Sequence, residues 1–284
     1  MAISLAHKFG QIIGELLELA LEPHLQKFAN EHKLHLDKKG KRSTRKGVKL
    51  SWTDFNKNSH DLDFVLERGG SDKVLGTPTA FIEIAWRKST RHSRNKAQEI
   101  QGAILPLVET FRNSNPFIGV VLAGEFTSGS LKQLESSGFS VLYFQSQTVF
   151  KAFEKFGVDA YSDDSTSEKE YKKKIESYNK LSNKAGVAKE LLRLNKKQVD
   201  LFFKSLTASV SRFIERIIIL PLHGQESISV SITEAINFLE KYSEDKPKSF
   251  LVKYEIIIRY NTGDKIEASF KDKKDSIKFL ENYL

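Results

Sequence analysis

The chain has 284 residues, 39% of them hydrophobic and 20 of them Phe, so it can bury one large core or two ordinary ones and is not broadly disordered. It contains no Cys, which excludes a disulfide framework and any Cys-ligated zinc or iron–sulfur centre. The net charge of +9 points to an anionic partner. The absence of a long apolar run or a leader pattern leads to the expectation of no membrane partner and a cytoplasmic location.

In chain order, Leu5, Phe9, Ile12, Ile13, Leu16, Leu17 and Ala20 recur at helical spacing behind Ser4, a cap residue. Pro23 either kinks this helix or starts a second one reaching about residue 31. A basic, Gly-containing stretch then carries Lys38, Lys39, Lys41, Arg42, Arg45, Lys46 and Lys49. Strands are expected near 49–56, 61–67 and 79–86, followed by a helix capped by Ser93 with Ala97, Ile100, Ile104 and Leu107 on one side. An apolar strand at 117–123, a helix at 130–136, a strand at 139–144 and a helix at 147–156 follow.

Three successive strands predict an antiparallel meander, and the later strand–helix–strand alternation predicts parallel crossovers. The expected fold is therefore α/β, a mixed central sheet flanked by helices, over residues 1–158. The polar segment 159–172 reads as a linker. Residues 173–284 read as a helical segment and an α+β domain with an internal repeat. Strand 217–220, a turn at His223-Gly224 and helix 238–242 recur as strand 256–259, a turn at Thr262-Gly263 and helix 279–283. Each copy is a ββα unit, suited to target recognition or dimerisation.

Two acidic residues lie in neighbouring strand candidates. Alternation places Asp61 and Asp63 on one face and Leu62, Phe64 and Leu66 on the other. In the next strand Glu83, Ala85 and Arg87 oppose Ile82, Ile84 and Trp86. If the strands pair, Asp63 and Glu83 meet and offer oxygen ligands to a hard cation such as Mg2+. The competing reading is the solvated face of an ordinary hairpin. A second cationic cluster, Arg87, Lys88, Arg91, Arg94 and Lys96, follows directly and suits phosphate contacts, as does the basic stretch before it. Gln98 and Gln101 are further candidates for contact with DNA, with polar helix surface as the alternative.

Over residues 1–156, the element order and the pair Asp63…Glu83 resemble the PD-(D/E)XK nuclease superfamily, which includes many restriction endonucleases. Asp63-Phe64-Val65-Leu66 matches the motif Asp at the head of an apolar strand, and Glu83-Ile84-Ala85 matches the second part except that Ala85 replaces the Lys. Leu62, not Pro, precedes the Asp. The resemblance implies a restriction-endonuclease-like core and a Mg2+-dependent DNA endonuclease of type II restriction class, with Mn2+ as a substitute metal. It implies double-stranded DNA as substrate and leaves a homodimer open. Asp63 and Glu83 would hold metal, and a first-helix carboxylate, Glu15 ahead of Glu18, would complete the site. Lys96, or Arg87 after it, would stand in for the missing Lys. The alternatives are a non-catalytic DNA-binding protein on a nuclease scaffold, which Ala85 favours, and a repair or RNA nuclease.

Overall fold

A computed structural model describes residues 4–163, 165–222, 224–244, 251–261 and 263–284. The chain divides into two compact units, Met1–Val210 and Ser211–Leu284.

The first unit opens with α1 (Leu5–Glu31), whose first turn is closed by the Ser4 side chain accepting the His7 amide at 3.2 Å. The helix passes through Pro23 without ending. A mid-helix Pro costs about 3 kcal/mol. Beyond it Leu25, Phe28 and Ala29 are buried, and each large side chain contributes about 1.5–3 kcal/mol, so continuing the helix wins.

Next come β1 (Leu34–Lys38), β2 (Leu50–Thr53), β3 (Ser59–Leu62), β4 (Phe64–Arg68) and β5 (Thr77–Arg87). They are followed by α2 (Ser93–Thr110), β6 (Phe117–Gly124), α3 (Ser128–Ser136), β7 (Ser140–Gln145) and α4 (Ser146–Glu154). Among the described residues the central sheet has the order β1-β4-β5-β6-β7. The β1–β4 and β4–β5 pairs are antiparallel, and β5–β6 and β6–β7 are parallel. The fold is thus α/β with a mixed central sheet, as expected.

The meander is built from different strands than the sequence suggests. Its first member is β1, at the head of the basic stretch, whereas β2 and β3 form a separate antiparallel hairpin. The expected strand 61–67 is two strands, broken at Asp63. The break inverts the alternation. Leu62 packs with Val65, Phe81 and Ala85 on one side of the sheet, while Phe64 and Leu66 join the α1 side. Ser93 also differs from its expected capping role: it is buried in the first turn of α2, with its hydroxyl donating to the Thr90 carbonyl at 2.9 Å.

The polar segment is not a boundary. Ser167 and Glu170 form a capping box that starts α5 (Glu168–Asn179), and α6 (Lys184–Leu194) and α7 (Lys196–Val210) follow. Tyr171, Ile175, Val187, Leu191, Phe202 and Leu206 share one core with α1, β6 and β7. These helices cover the sheet face that α1 alone cannot, and the first unit therefore runs to Val210 rather than to residue 158.

The second unit is β8 (Ile214–Pro221), β9 (Ser227–Ser229), α8 (Ile232–Lys241), β10 (Tyr254–Tyr260), β11 (Lys265–Phe270) and α9 (Lys273–Glu281). The ββα repeat is present. Its strands make an antiparallel sheet of order β11-β10-β8-β9, and Ile217, Ile219, Ile256 and Ile258 face α8 and α9. Of the two expected turns, His223 and Thr262 lie outside the described residues. Gly263 has φ of 90°, a left-handed conformation that suits glycine.

Candidate functional site

Asp63 sits where β3 gives way to β4, and Glu83 sits in the middle strand of the sheet. The register pairs Phe64 with Ile82, so the next rung sets Asp63 opposite Glu83. The Ile84 amide donates to Asp63 Oδ2 at 2.6 Å, tying the two strands together at this point. The sequence expectation that these two carboxylates meet is met by this geometry.

Their environment is unusual for a hairpin face. Glu83 is 9% exposed, and its Oε1 is buried with no hydrogen-bond partner. Burial, and then the charge of Asp63, push its pKa well above the ordinary carboxylate range, with Lys96 opposing. Burial likewise raises Asp63, against the Ile84 amide and the charges of Lys96 and Lys39. A solvated pair would carry neither shift. Two desolvated carboxylates side by side are costly in the absence of a cation, and proteins keep such arrangements chiefly where they have work to do.

Lys96, in the first turn of α2, reaches this region. Its side chain is 15% exposed, and its Nζ lies 2.7 Å from Glu99 Oε1. It attracts both Asp63 and Glu83. Arg87 lies farther along β5, donates to the Trp86 carbonyl at 3.0 Å and approaches Glu99 at 3.9 Å. Ala85, on the same strand face as Glu83, is buried in the core shared with α2.

On α1 the carboxylate in electrostatic contact with Asp63 is Glu18. It is half-buried, and its pKa is raised first by burial and then by Asp63, with Lys39 opposing. Glu15 is exposed. The two share a side of the helix, three residues apart, and differ in burial and in position along it. Glu18 lies one turn beyond Gly14, toward the end of α1 nearest β1, a placement that sequence spacing does not reveal. Lys39, named above only as a phosphate contact, belongs to the same electrostatic neighbourhood.

Much of the basic stretch is committed internally. Arg42 is 7% exposed; it contacts Asp37 at 2.5 Å and Glu67, and its remaining N–H groups donate to the Ser71 and Val74 carbonyls at 2.8 and 2.7 Å. Arg45 grips Asp37 at 2.7 and 2.9 Å and the Lys38 carbonyl at 2.6 Å. Lys38 pairs with Glu22 on α1, and Lys49 with Asp61, which places Asp61 outside the site. Gln101 donates to Ser137 Oγ at 2.6 Å and accepts from Gln133 at 2.6 Å. Arg42, Arg45 and Gln101 thus have their donors engaged within the fold, Arg42 and Gln101 by partners distant in sequence and Arg45 by Asp37 and Lys38 a few residues before it, which leaves them less available for the DNA contact expected of them. Lys39, Lys41, Lys46, Arg91, Arg94 and Gln98 are exposed, and Lys88 donates to the Asp163 carbonyl at 3.3 Å.

A cleft of about 550 Å³ opens between α1 and the end of β5, bordered by Gly10, Gly14, Ala85, Trp86, Arg87 and Lys96. Trp86 packs edge-on against Phe150 and is half-buried at this margin. Among the described residues there is no group of three or more His, Cys, Asp or Glu arranged to hold a metal ion. No helix among them is long and apolar enough to cross a membrane. The chain matches no protein-family model, no curated protein and no solved structure.

Proposed function

We propose that the first unit is a Mg2+-dependent endonuclease acting on DNA, of restriction type. The observation that carries this reading is the buried pair Asp63 and Glu83, with an unpartnered Oε1, beside a half-buried lysine and a cleft. The pair fits a hard divalent cation. Mg2+ keeps several waters and needs only one or two protein carboxylates, with substrate phosphates supplying further ligands. Two carboxylates, without a third acid or a His, are thus a sufficient protein contribution. Asp63 and Glu83 would hold the ion, Mn2+ would substitute, and Glu18 rather than Glu15 is the first-helix acid placed to support them.

When bound, the metal supplies positive charge to the phosphoryl oxygens undergoing displacement. The chain's own groups do the rest. Asp63 is oriented by the Ile84 amide. Lys96 brings a cation to the place where charge builds on the phosphate, the role that Ala85 cannot fill. Lys39, Lys41, Lys46, Arg91 and Arg94 would meet the backbone of the nucleic acid.

Charge distribution supports nucleic-acid binding by the first unit in particular. The twelve Lys and Arg after Val210 balance twelve Asp and Glu, so the whole +9 lies in Met1–Val210. A neutral second unit suits dimerisation better than phosphate contact.

Incubation of supercoiled plasmid with the protein, with and without Mg2+, is the direct test. Nicking or linearisation that persists in the Asp63→Ala, Glu83→Ala double variant sinks the assignment. The lysine role has its own test. Lys96→Ala should lower turnover by roughly 10²–10³-fold, the usual loss for one transition-state donor. Adding Ala85→Lys to that variant should restore part of the rate, since position 85 shares Glu83's strand face. Full activity in Lys96→Ala together with a dead Arg87→Ala would transfer the role to Arg87.

A further inference from the structure

The cleft between α1 and β5 holds a feature that packing does not explain. Gly10 and Gly14 stand one turn apart on the same face of α1, and both border the cleft. Glycine is among the least favourable residues inside a helix. Neither glycine is among the residues with positive φ, so the backbone does not require them. A Cβ at Gly14 would meet nothing within 4 Å, and one at Gly10 would touch only the Trp86 ring, at 3.4 Å. An alanine fits at either place and would stabilise the helix. What the glycines preserve is the empty space itself.

The walls of that space indicate its occupant. Ile84, Trp86 and Ala6 supply an apolar side. Lys96 and Arg87 border the same space; both approach Glu99, which is 63% exposed, and Lys96 is also drawn by Asp63 and Glu83, so the cleft has a cationic rim. The volume is within the range of small-ligand pockets and far larger than a phosphate alone needs. An apolar wall, a cationic rim and room for a ring describe a nucleotide.

We infer that this cleft is a nucleotide subsite. It holds the base and sugar of the unit next to the scissile phosphate, with that phosphate drawn to Lys96 and Arg87. The inference rests on the nuclease reading for its place in catalysis, but binding alone can test it.

In EDTA, where no metal-dependent cleavage occurs, thymidine 5′-monophosphate and a short labelled single-stranded oligonucleotide serve as probes, read by calorimetry and fluorescence anisotropy. Gly14→Leu should keep or raise the melting temperature while weakening both ligands roughly tenfold or more, the scale of one lost base contact. If Gly14→Leu fails to fold, the Gly10→Ala, Gly14→Ala pair carries the same comparison with two methyl groups. Unchanged affinity for both probes in a folded, filled variant overturns the subsite. Loss of thymidine monophosphate binding in a protein whose wild type never cuts DNA with Mg2+ upholds the subsite and overturns the nuclease. A wild type that cuts DNA, with a Gly14→Leu variant that binds and cuts equally well, overturns the subsite and leaves Asp63 and Glu83 in place.

Discussion

Glu83→Gln should lower the proposed Mg2+-dependent cleavage by about 10³-fold and, in the absence of metal, make the protein more stable at neutral and alkaline pH. The two effects have one cause. Glu83 is buried beside Asp63, and both factors favour its protonated form. Its pKa in the folded protein lies above that in the unfolded chain. As pH rises past the ordinary carboxylate range, the unfolded chain gives up this proton while the folded protein keeps it. The folded state then binds more protons, so stability falls with rising pH until the raised pKa is passed. Glutamine has the same shape and no proton to lose, so the decline should be smaller in the variant.

Thermal denaturation in EDTA at pH 5 and pH 8 measures the difference: wild type should lose more stability over that interval than Glu83→Gln. If Asp63 and Glu83 hold Mg2+ as proposed, the metal should reverse the order at pH 8, because a ligand that binds only the native state stabilises it and the variant would lack one of the proposed ligand oxygens. Cleavage should drop by about 10³-fold, since metal-ion charge stabilisation contributes several kcal/mol and each 1.36 kcal/mol is tenfold. Identical pH profiles for the two proteins would mean that Glu83 is not a strained carboxylate. Unimpaired cleavage by the variant would remove it from the site.

The second large effect is structural. Arg42→Ala should destabilise the first unit by about 3–5 kcal/mol, the typical loss when one partner leaves a buried ion pair. Asp37 and Glu67 are 4% and 0% exposed, and Arg42 is the guanidinium they share. Its removal leaves Glu67 with the Gly76 amide at 2.7 Å as its remaining polar contact among the described residues, and leaves the Ser43 hydroxyl, which donates to the Asp72 carbonyl, to hold the turn at Ser71–Val74 to the loop that bears Lys39. In a unit of this size the melting temperature should fall by roughly 6–20 °C. Arg42→Lys should recover only part of this, because an ammonium cannot serve two carboxylates and two carbonyls in one plane. Lys41→Ala, on the exposed side of the same loop, should leave the melting temperature unchanged and weaken the proposed DNA binding in a salt-dependent way. An Arg42→Ala protein that melts like wild type would show that the network contributes no net stability.

The contrast between Arg42 and Lys41 shows where sequence reading reaches its limit. Both lie in one basic run, and composition treats them alike. Whether a cation is buried depends on which carboxylates arrive from elsewhere, and Glu67 is 25 residues away along the chain. The same holds for Gln101, whose partner Ser137 is 36 residues distant, and for the choice of Glu18 over Glu15.

What the sequence determined by itself was set by short-range physics. The 3.6-residue apolar period wrote α1 and α2, the apolar runs wrote β5, β6 and β7, and the strand–helix–strand order required parallel crossovers. The acidic pair was legible because antiparallel pairing of neighbouring strands sets Asp63 across from Glu83, although the alternation expected through Asp63 does not hold. The duplicated ββα unit was legible as a repeat. What only the tertiary structure decided depended on burial between distant segments. The break at Asp63 could not be read from alternation, because β3 pairs with β2 while β4 pairs with β1 and β5. The helices after residue 167 looked like a new domain because their start is polar. They belong to the first unit because the sheet face beside α1 needs their apolar sides to be dry. Local sequence specifies which faces are apolar; only the assembled chain specifies what covers them.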